Sequence, residues 1–343
     1  MPTTLADIAE ALGISKMTVS RAINDDPNIN AATRERVLEV ARQMSYQPNL
    51  QARGLTTNRS YLLGLIVPDL MHSYYAEIAN AVAAMARPAG YEILICNTEE
   101  DAEKETAEVD ALRRRTDGLI IASAVPSGKA GVYRKLIREG ARIVLLDRGF
   151  DRVSCPVVLT DNLLVGRMAT EHLIKLGHRR IGHLRGPRVS VAEDRLEGYR
   201  RALANASIPY DEKLVRACGF RESDGHTAMQ AWLEEGHLPT AVFAINDPVA
   251  IGAMQALHKS RVKIPRDMAL VGAGAIHYGD LLRVPLTTVN WDTQEMGRQA
   301  ARLLLEMIDE KGGKNGPRQP VIIKPELVVR ESCGAGGKHS GKK

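Results

Sequence analysis

A short segment near the amino terminus carries side chains whose types and spacing could read base pairs. Ser15 precedes the stretch Lys16-Met-Thr-Val-Ser-Arg-Ala-Ile-Asn24. Helical periodicity places Val19, Ala22 and Ile23 on one buried face of this stretch. The opposite face then presents a cation at each end with polar groups between them: Lys16, Met17, Thr18, Ser20 and Arg21. Because arginine and lysine donate hydrogen bonds to guanine edges and hydroxyl groups bind phosphates, this face has the chemistry of a DNA contact.

The residues around this segment predict a helix-turn-helix. Apolar residues recur at helical spacing from Leu5 to Leu12, and Gly13 follows where a left-handed residue would end the first helix. Ser15 is placed to cap the second helix by accepting hydrogen bonds from its free amides. Two short helices joined by a glycine-containing turn bring the amino-terminal residues of the second helix into the major groove of DNA.

A third helix, over about residues 31–44, is expected to close this small core. It would contribute the apolar residues Val37, Leu38, Val40, Ala41 and Met44. Pro48 prevents its continuation. The following stretch, 49–56, is too short for a stable isolated helix, and Gly54 weakens it further. We expect this stretch to fold on binding DNA, with Leu55 available as an apolar wedge for the minor groove.

From Tyr61 onward the pattern changes to short apolar runs that alternate with helical stretches. In the first half the runs that read as buried strands are 62–67, 92–96, 118–121 and 143–146. In the second half they are 180–184, 215–218, 241–245 and 268–271. This repeated alternation predicts an α/β fold with two lobes, each a doubly wound parallel sheet covered by helices. A ligand cleft is expected between the lobes, at the carboxyl ends of the strands.

Several segments closely resemble the lactose-repressor (LacI) family. They include residues 4–24 without a gap, Tyr46-Gln-Pro-Asn49 and Ala52-Arg-Gly-Leu55, and farther along Leu176-Gly-His-Arg-Arg-Ile181, Arg195-Leu-Glu-Gly-Tyr199, Phe243-Ala-Ile-Asn-Asp247 and Pro285-Leu-Thr-Thr-Val289. The resemblance implies a helix-turn-helix headpiece attached to a two-lobed, periplasmic-binding-protein-like core. We expect the headpiece at 1–48, a hinge helix and linker at 49–60, an effector-binding and dimerisation domain at 61–331 and a disordered tail at 332–343.

The resemblance also implies roles for individual headpiece residues. Lys16, Met17 and Arg21 would face base edges, and Arg21 is the best candidate for a two-point guanine contact, worth about 1–3 kcal/mol of discrimination. Other residues would position the headpiece on phosphates: Ser15, Thr18, Ser20, Asn24, Thr33, Tyr46 and Asn49. Since one headpiece reads only a half-site, the expected form is a homodimer on a palindromic operator. No heptad tail follows Leu305, which favours dimers over tetramers.

Candidate cleft residues follow from positions at strand ends. Asp147 and Arg148 end one predicted strand, and Asn246 and Asp247 end another. The resemblance strengthens these and adds six more: Tyr74, Tyr75, Ser190, Arg195, Phe220 and Trp291. Phe220 would be the aromatic side chain that covers a bound small-molecule effector.

One departure from the family pattern bears on the ligand. Where the family usually reads Gly-Phe-Asp-Asp, this chain has Gly272-Ala-Gly-Ala275, so the acidic side chain that typically accepts hydrogen bonds from a ligand is missing at Gly274. Three interpretations stay open. The ligand is anionic, because Arg148 and Arg195 remain while a carboxylate is lost; it binds through other groups, with Trp291 as a stacking platform; or the cleft has lost control by small molecules. We favour the first, a sugar acid or sugar phosphate.

The composition indicates the cellular compartment of the protein but does not identify its binding partner. The net charge of +5 resides in the carboxyl-terminal segment, because residues 311–343 carry eight basic and two acidic side chains. Four dispersed cysteines without a CxxC pair fit a reducing cytoplasm. Neither a signal peptide nor an apolar run long enough to span a bilayer is visible. We therefore expect a cytoplasmic protein without a membrane partner.

Enzyme functions find little support. Gly272-Ala-Gly-Ala-Ile-His277 lacks the third glycine of a dinucleotide fingerprint, and no P-loop, GxSxG or HExxH motif occurs. His172, His178 and His183 fit no metal-binding spacing, so neither a metal nor a cofactor is expected. The sequence predicts a repressor of carbohydrate or sugar-acid metabolism genes controlled by an effector. Two alternatives are a periplasmic-type sugar-binding protein and a regulator that is effector-independent or controlled by a protein partner.

Overall fold

A computed structural model describes residues 3–24, 26–46, 57, 59–309 and 319–335. The chain forms two compact units, Met1–Ser60 and Tyr61–Lys343. The predicted DNA contacts Asn49 and Leu55 lie outside the described residues, as does most of the predicted hinge.

The first unit contains three helices around a small apolar core. They are α1 (Leu5–Leu12), α2 (Lys16–Ile23) and α3 (Ala31–Gln43). Ile8, Val19 and Val37 are fully buried where the three helices meet. The sequence prediction placed Leu38 in this core, which is wrong. Leu38 is 40% exposed because it follows Val37 by one position and points away from the other helices.

The second unit contains two six-stranded sheets with the same internal order. The first sheet is built from β1 (Leu62–Val67), β2 (Glu92–Asn97), β3 (Gly118–Ile121), β4 (Ile143–Leu146), β5 (Val157–Thr160) and β11 (Val321–Ile323). Its strand order is β11-β5-β4-β3-β1-β2. The second sheet is built from β6 (Ile181–Arg185), β7 (Val215–Ala217), β8 (Ala241–Ala244), β9 (Ala269–Ala273), β10 (Thr287–Asn290) and β12 (Glu326–Val328). Its strand order is β12-β10-β9-β8-β6-β7. All pairings are parallel except that of β10 with β12. The α/β fold with two parallel sheets is therefore confirmed.

Helices connect the strands and cover both sheets. The first lobe carries α4 (Ser73–Ala86), α5 (Ala102–Leu112), α6 (Gly131–Arg138) and α11 (Thr293–Asp309). The second carries α7 (Asn162–Lys175), α8 (Ser190–Asn205), α9 (Glu222–Glu235) and α10 (Asp247–Lys259). The chain passes from one lobe to the other after β5, after β10 and between β11 and β12. These crossings bring the carboxyl ends of β1–β4 opposite those of β6–β10, so the two lobes face each other across a cleft.

The second lobe extends beyond the boundary at residue 331 predicted from the sequence. Ser332 is fully buried, and its hydroxyl accepts a hydrogen bond from the Thr287 backbone N–H at 2.8 Å and donates one to the Leu270 carbonyl at 2.7 Å. Cys333 is buried as well. Residues 332 and 333 therefore belong to the core, because they tie the chain end to β9 and β10, and the predicted tail begins too early.

Two negative findings concern the described residues alone. No helix among them is both long and apolar enough to cross a membrane. Within the same residues, no three histidine, cysteine, aspartate or glutamate side chains come together as a metal site would require.

Candidate DNA-reading helix and candidate ligand cleft

The turn between α1 and α2 sets the start of α2, the candidate DNA-reading helix. Gly13 ends α1 at φ +64°, a left-handed conformation that favours glycine. The Ser15 hydroxyl then accepts a hydrogen bond from the Thr18 backbone N–H at 3.1 Å and lies 2.8 Å from the Thr18 hydroxyl. This cap satisfies one of the free amides at the start of α2, as expected from the sequence.

The face of α2 that was predicted to contact DNA is open to solvent. Met17 is 64% exposed although it is apolar, while Val19 and Ala22 on the opposite face are buried. The predicted contacts on this helix and its caps are exposed or half-buried: Ser15, Lys16, Met17, Thr18, Ser20, Arg21 and Asn24. An exposed thioether between two cations is unusual for a solvated surface and suits a face that packs against bases.

Arg21 lies near an acidic side chain but remains largely exposed to solvent. Its Nε lies 3.7 Å from the Asp26 carboxylate, and 54% of its side chain remains exposed. Hydrogen bonds from the Asn28 backbone and side chain, with a smaller contribution from Arg21, lower the pKa of Asp26. The Asp26 carboxylate therefore lies near one edge of the guanidinium, while the other donors stay available to a guanine.

The remaining predicted phosphate contacts have structural roles of their own. The Thr33 backbone N–H donates to Asn30 Oδ1 at 2.7 Å in the cap of α3. Tyr46 is half-buried and packs against the headpiece core. Their contacts with phosphates stay predictions.

The cleft between the lobes is lined by polar and aromatic side chains. The first lobe contributes Asp69, His72, Tyr74, Tyr75, Glu100, Asp147 and Arg148, and the second side contributes Val191, Arg195, Phe220, Asn246, Ala273, Gly274 and Trp291. Its free volume is about 50 Å³, far below the ~300–1,000 Å³ of typical small-molecule sites. The lobes are therefore closed on each other. Eight of the ten residues predicted from the sequence line this cleft, and Ser190 and Asp247 do not.

Asp147 lies at the centre of the first-lobe wall. Tyr74 donates its hydroxyl to one carboxylate oxygen at 3.0 Å, and Tyr75 donates to the other at 3.2 Å. Burial, followed by the charge of Asp147, raises the pKa of both tyrosines well above the ordinary value, so both remain donors. Asp147 itself adopts φ +63°, a left-handed conformation rare for a non-glycine residue and often found at functional sites.

The two Nη atoms of Arg148 are hydrogen-bonded within the protein, whereas its buried Nε has no hydrogen-bond partner among the described residues. Its Nη1 and Nη2 donate to the two carboxylate oxygens of Glu100 at 2.8 and 2.7 Å, and Nη1 also donates to the Ser123 carbonyl at 2.9 Å. Its guanidinium carbon lies 4.9 Å from the centre of the Phe220 ring, which comes from the other lobe. Burial works against its charge, but Tyr75 and Glu100 outweigh this effect and hold the pKa of Arg148 above its ordinary value.

Arg195 has a different environment. It is 3% exposed, its Nε donates to Asn162 Oδ1 at 2.9 Å, and its Nη1 donates to the Ile245 carbonyl. Its guanidinium also stacks on Trp291. Burial lowers its pKa. No carboxylate among the described residues lies within 4.0 Å of it, so Arg195 faces the cleft as a cation without an ion-pair partner.

The lining carries carboxylates beside the two arginines on which the preference for an anionic ligand rests. That hypothesis assumed that Arg148 and Arg195 dominate the cleft, whereas Asp69, Glu100 and Asp147 also line it. Glu100 occupies Arg148, and Asp147 lies 3.8 Å from the same guanidinium. Among the described residues, a sugar acid or sugar phosphate would therefore meet one lining arginine without an ion-pair partner, Arg195, while the Asp147 carboxylate would repel it.

His72 is a cleft residue that the sequence analysis did not identify. Its Nδ1 accepts a hydrogen bond from the Tyr74 backbone N–H at 3.2 Å and so caps α4. Burial lowers the pKa of His72 to about 4. The ring is therefore neutral near pH 7, with Nδ1 as acceptor and Nε2 carrying the proton.

Asp247 and Gly274 determine the conformation of the loop after β9, where the sequence departs from the family pattern. Asp247 is buried and accepts hydrogen bonds from the Ile276 backbone N–H at 2.7 Å and the Thr288 hydroxyl at 2.6 Å, so it supports the loop instead of lining the cleft. Burial raises its pKa. Gly274 adopts φ +120°, where any side chain is strained. An acidic residue at Gly274 would therefore not fit this backbone.

Asn246 and Phe220 form the second-lobe side of the cleft mouth. The Asn246 amide donates to the Phe220 carbonyl at 2.9 Å, and its oxygen caps α10 by accepting from the Val249 backbone N–H. A Cβ atom on Gly186 would lie 2.8 Å from the Phe220 ring, so any larger residue there would displace this ring. At the rim Arg221 Nε lies 3.5 Å from Asp69 Oδ2, which joins the two lobes.

Two family models match the chain, one in each unit. Residues 4–49 match the model of bacterial regulatory proteins of the lacI family, and residues 170–333 match the periplasmic binding protein-like domain. The ribose operon repressor of Halalkalibacterium halodurans is 33% identical over 340 residues, covering 98% of this chain and 99% of the relative.

Two solved structures are similar over nearly the whole length. The lac repressor dimer bound to operator and the anti-inducer ONPF has a TM-score of 0.84 and 28% identity over 97% of this chain and 99% of that one. The complex of the transcriptional regulator CelR with cellobiose has a TM-score of 0.72 and 30% identity over 96% of this chain and 99% of that one.

Proposed function

The chain belongs to the LacI family of bacterial regulatory proteins, and from this we propose that it is a repressor whose affinity for a palindromic operator is controlled by a neutral, polyhydroxylated ligand in the interlobe cleft. It is a sequence-specific DNA-binding regulator of transcription. The observation that carries the proposal is the capped, exposed face of α2 in one unit, together with a polar cleft between two closed lobes in the other.

The arrangement of charges supports a neutral ligand. Asp147, with its tyrosine partners, lies on one wall, and Arg195, which lacks an ion-pair partner among the described residues, lies on the other. A hydroxyl group can donate to a carboxylate and accept from a guanidinium, so a polyol can bridge both walls without a net charge. Trp291 lines the cleft but is 5% exposed and stacked against Arg195, so a sugar ring would contact it once the lobes separate. The similar regulator CelR was solved with cellobiose, a sugar without an ionisable group.

Ligand binding requires the lobes to move. A cleft with about 50 Å³ of free volume does not admit a sugar, so entry must separate Phe220 from Arg148 and Arg221 from Asp69. We propose that this change in lobe angle alters the dimer interface and the spacing of the segment at 49–60. Coupling between ligand and operator affinity is then reciprocal, typically about 1–3 kcal/mol.

We also propose that the protein acts in the cytoplasm as a homodimer. One headpiece reads one half-site, so a palindromic operator requires two copies. The four cysteines are free thiols, and Cys155 and Cys333 are buried, which suits a reducing compartment.

A selection experiment tests the function. The full-length protein is incubated with random duplex DNA, with and without a panel of neutral sugars, and the enriched sites are sequenced. We expect a palindrome whose recovery changes with one compound. Enrichment of no palindrome would refute the proposal.

The effector-independent alternative also has a specific observation in its favour. The cleft has little free volume, and both Nη atoms of Arg148 are hydrogen-bonded to Glu100 without a ligand. A thermal-shift screen separates the two functions, because a ligand that binds the folded state raises its unfolding temperature. A palindrome bound equally in the presence of every compound, with no thermal shift, would favour this alternative.

A further inference from the structure

The environment of Glu100 distinguishes it from the neighbouring acidic residues. Glu99, Glu100 and Asp101 follow β2 in sequence. Glu99 is 60% exposed in its side chain and pairs with Lys104 at 2.9 Å, and Asp101 caps α5 by accepting from the backbone of Glu103 and Lys104. Glu100 instead turns into the cleft, where both its oxygens accept hydrogen bonds from Arg148.

The backbone around Glu100 is held in an unfavourable conformation to achieve this. Glu99 and Glu100 adopt φ +57° and +61°, two consecutive non-glycine residues in the left-handed region. The Glu100 backbone N–H donates to the Pro68 carbonyl at 3.0 Å, which fixes the turn against the end of β1. Strain of this kind persists where the surroundings enforce it, and it is concentrated at functional sites.

The pair leaves little anion-binding capacity on Arg148. Both Nη atoms donate to Glu100, and Nη1 also donates to the Ser123 carbonyl. The remaining donor, Nε, is buried without a hydrogen-bond partner among the described residues and lies 3.8 Å from the Asp147 carboxylate, whose charge opposes an anion there. A ligand carboxylate or phosphate approaching this guanidinium would have to displace Glu100 and would meet its charge at short range. A two-point carboxylate pair is the strongest arrangement that arginine forms with a carboxylate.

We propose that Glu100 is a specificity-determining residue: it occupies the anion-binding groups of Arg148 and thereby excludes ligands that carry a carboxylate or phosphate from the cleft. The inference rests on the proposed function in taking the cleft as the ligand site. It goes beyond that function by naming the residue that selects neutral ligands.

The first test uses inorganic phosphate as a probe of Arg148. Phosphate is titrated into the full-length wild type, Glu100→Gln and Glu99→Gln at constant ionic strength, and binding is followed by calorimetry and thermal unfolding. Glu99→Gln is the matched control, since it removes the same charge from the same turn outside the cleft. Phosphate bound by the headpiece contributes equally to all three proteins.

We expect Glu100→Gln to gain a phosphate site with a Kd at least about tenfold lower than any shown by the wild type or Glu99→Gln. The gain should disappear in the double variant Glu100→Gln/Arg148→Met. Equal phosphate binding by the wild type and Glu100→Gln would overturn the proposal. A gain that persists without Arg148 in a folded double variant would also overturn it.

A second test compares aldoses with the matching uronic acids. The wild type should bind the neutral member of a pair, and Glu100→Gln should shift the ratio of affinities by at least about tenfold toward the acid. An unchanged ratio would contradict the role of Glu100 while leaving the ligand site intact. If neither member of any pair binds either protein, the proposed function fails, and the phosphate titration still decides whether Glu100 controls access to Arg148.

Discussion

The guanidinium carbon of Arg195 lies 5.0 Å from the centre of the Trp291 ring, so a buried cation is stacked on an aromatic face. The cation belongs to α8 in the second lobe, and the tryptophan lies just after β10 on the crossing that leads to the first lobe. The pair therefore connects the second-lobe wall of the cleft to the segment in which the chain crosses from the second lobe to the first. We therefore expect a ligand that contacts Arg195 to act on this crossing as well.

Arg195→Lys is expected to abolish the response to ligand while retaining operator binding. Lysine cannot donate to both Asn162 and the Ile245 carbonyl while it stacks on Trp291, because its ammonium group is a point charge on a flexible stem. The check is a thermal-shift titration with the ligand found in the screen, beside an operator-binding assay. Arg200→Lys is the control, since Arg200 stacks on Tyr210 at 4.7 Å on the outer surface of the same helix. A normal ligand response in Arg195→Lys would contradict this role.

Arg21→Ala is expected to weaken binding to the operator by about 1–3 kcal/mol, roughly 5- to 150-fold, and to relax the base preference at one position of each half-site. Arg21 is exposed and anchored by Asp26, so its loss leaves the core of the headpiece intact. Arg42→Ala removes an equal charge from the end of α3, where Arg42 pairs with Glu39. It should leave base preference unchanged. Site selection with both variants measures the difference, and an unchanged preference in Arg21→Ala would rule out a base contact.

Leu55→Ala tests the wedge predicted from the sequence, at a position outside the described residues. An apolar side chain inserted between base steps contributes only where the DNA is kinked at its specific site. The variant should therefore lose affinity for the operator far more than for random DNA, measured at the same salt concentration. Equal losses on both would exclude a wedge.

His183 is expected to make the stability of the core fall in acid. The ring is fully buried, stacked between Phe243 and Tyr199, with Nδ1 2.9 Å from the Phe243 carbonyl. Burial lowers the pKa of His183 to about 4, below the unfolded value of 6.5. The unfolded chain therefore binds more protons between these values, so the stability contribution is complete above pH 6.5 and is lost as the pH falls toward 4.

The measurement compares denaturant unfolding at pH 7.5 and pH 5, followed by tryptophan fluorescence. His183→Phe should reduce the loss of stability between the two pH values by about 2 kcal/mol. His237→Gln, at an exposed position, should leave the loss unchanged. His72 also has a pKa lowered to about 4 and accounts for part of the remaining loss. The same pH dependence in His183→Phe and the wild type would refute the assignment.

Local sequence signals predicted the headpiece surface and most of the strands. The cap at Ser15 and the buried Val19 and Ala22 determine which face of α2 is exposed, because helical spacing is fixed within a few residues. The strands β5, β10, β11 and β12 were missed. β5 and β10 have four residues each, and the edge strands β11 and β12 are shorter. They have three residues each, and their pairing partners lie far away in the chain.

The cleft was predicted only in part, because strand order decides which loops meet. Asp147 and Arg148 were found by their position after β4. Asp69 and Glu100 follow β1 and β2 in the same way, so the same rule could have identified them. Glu100 stands in an acidic run that resembles a solvated turn, and only the position of β2 beside β1 brings it to Arg148. Its two-point pair with Arg148 had no signal in the sequence, and this pair offsets the positive charge that was expected from Arg148.

The most direct test of ligand-controlled DNA binding is a titration of the selected operator with the full-length protein. The titration is done for the wild type and for Arg195→Lys, each with and without a saturating neutral sugar from the screen. Fluorescence anisotropy of labelled operator reports the Kd. We predict that the sugar changes the operator Kd of the wild type by about 5- to 150-fold and leaves that of Arg195→Lys unchanged. An operator Kd that the bound sugar does not change in the wild type, or changes equally in both proteins, would contradict control of DNA binding through this cleft.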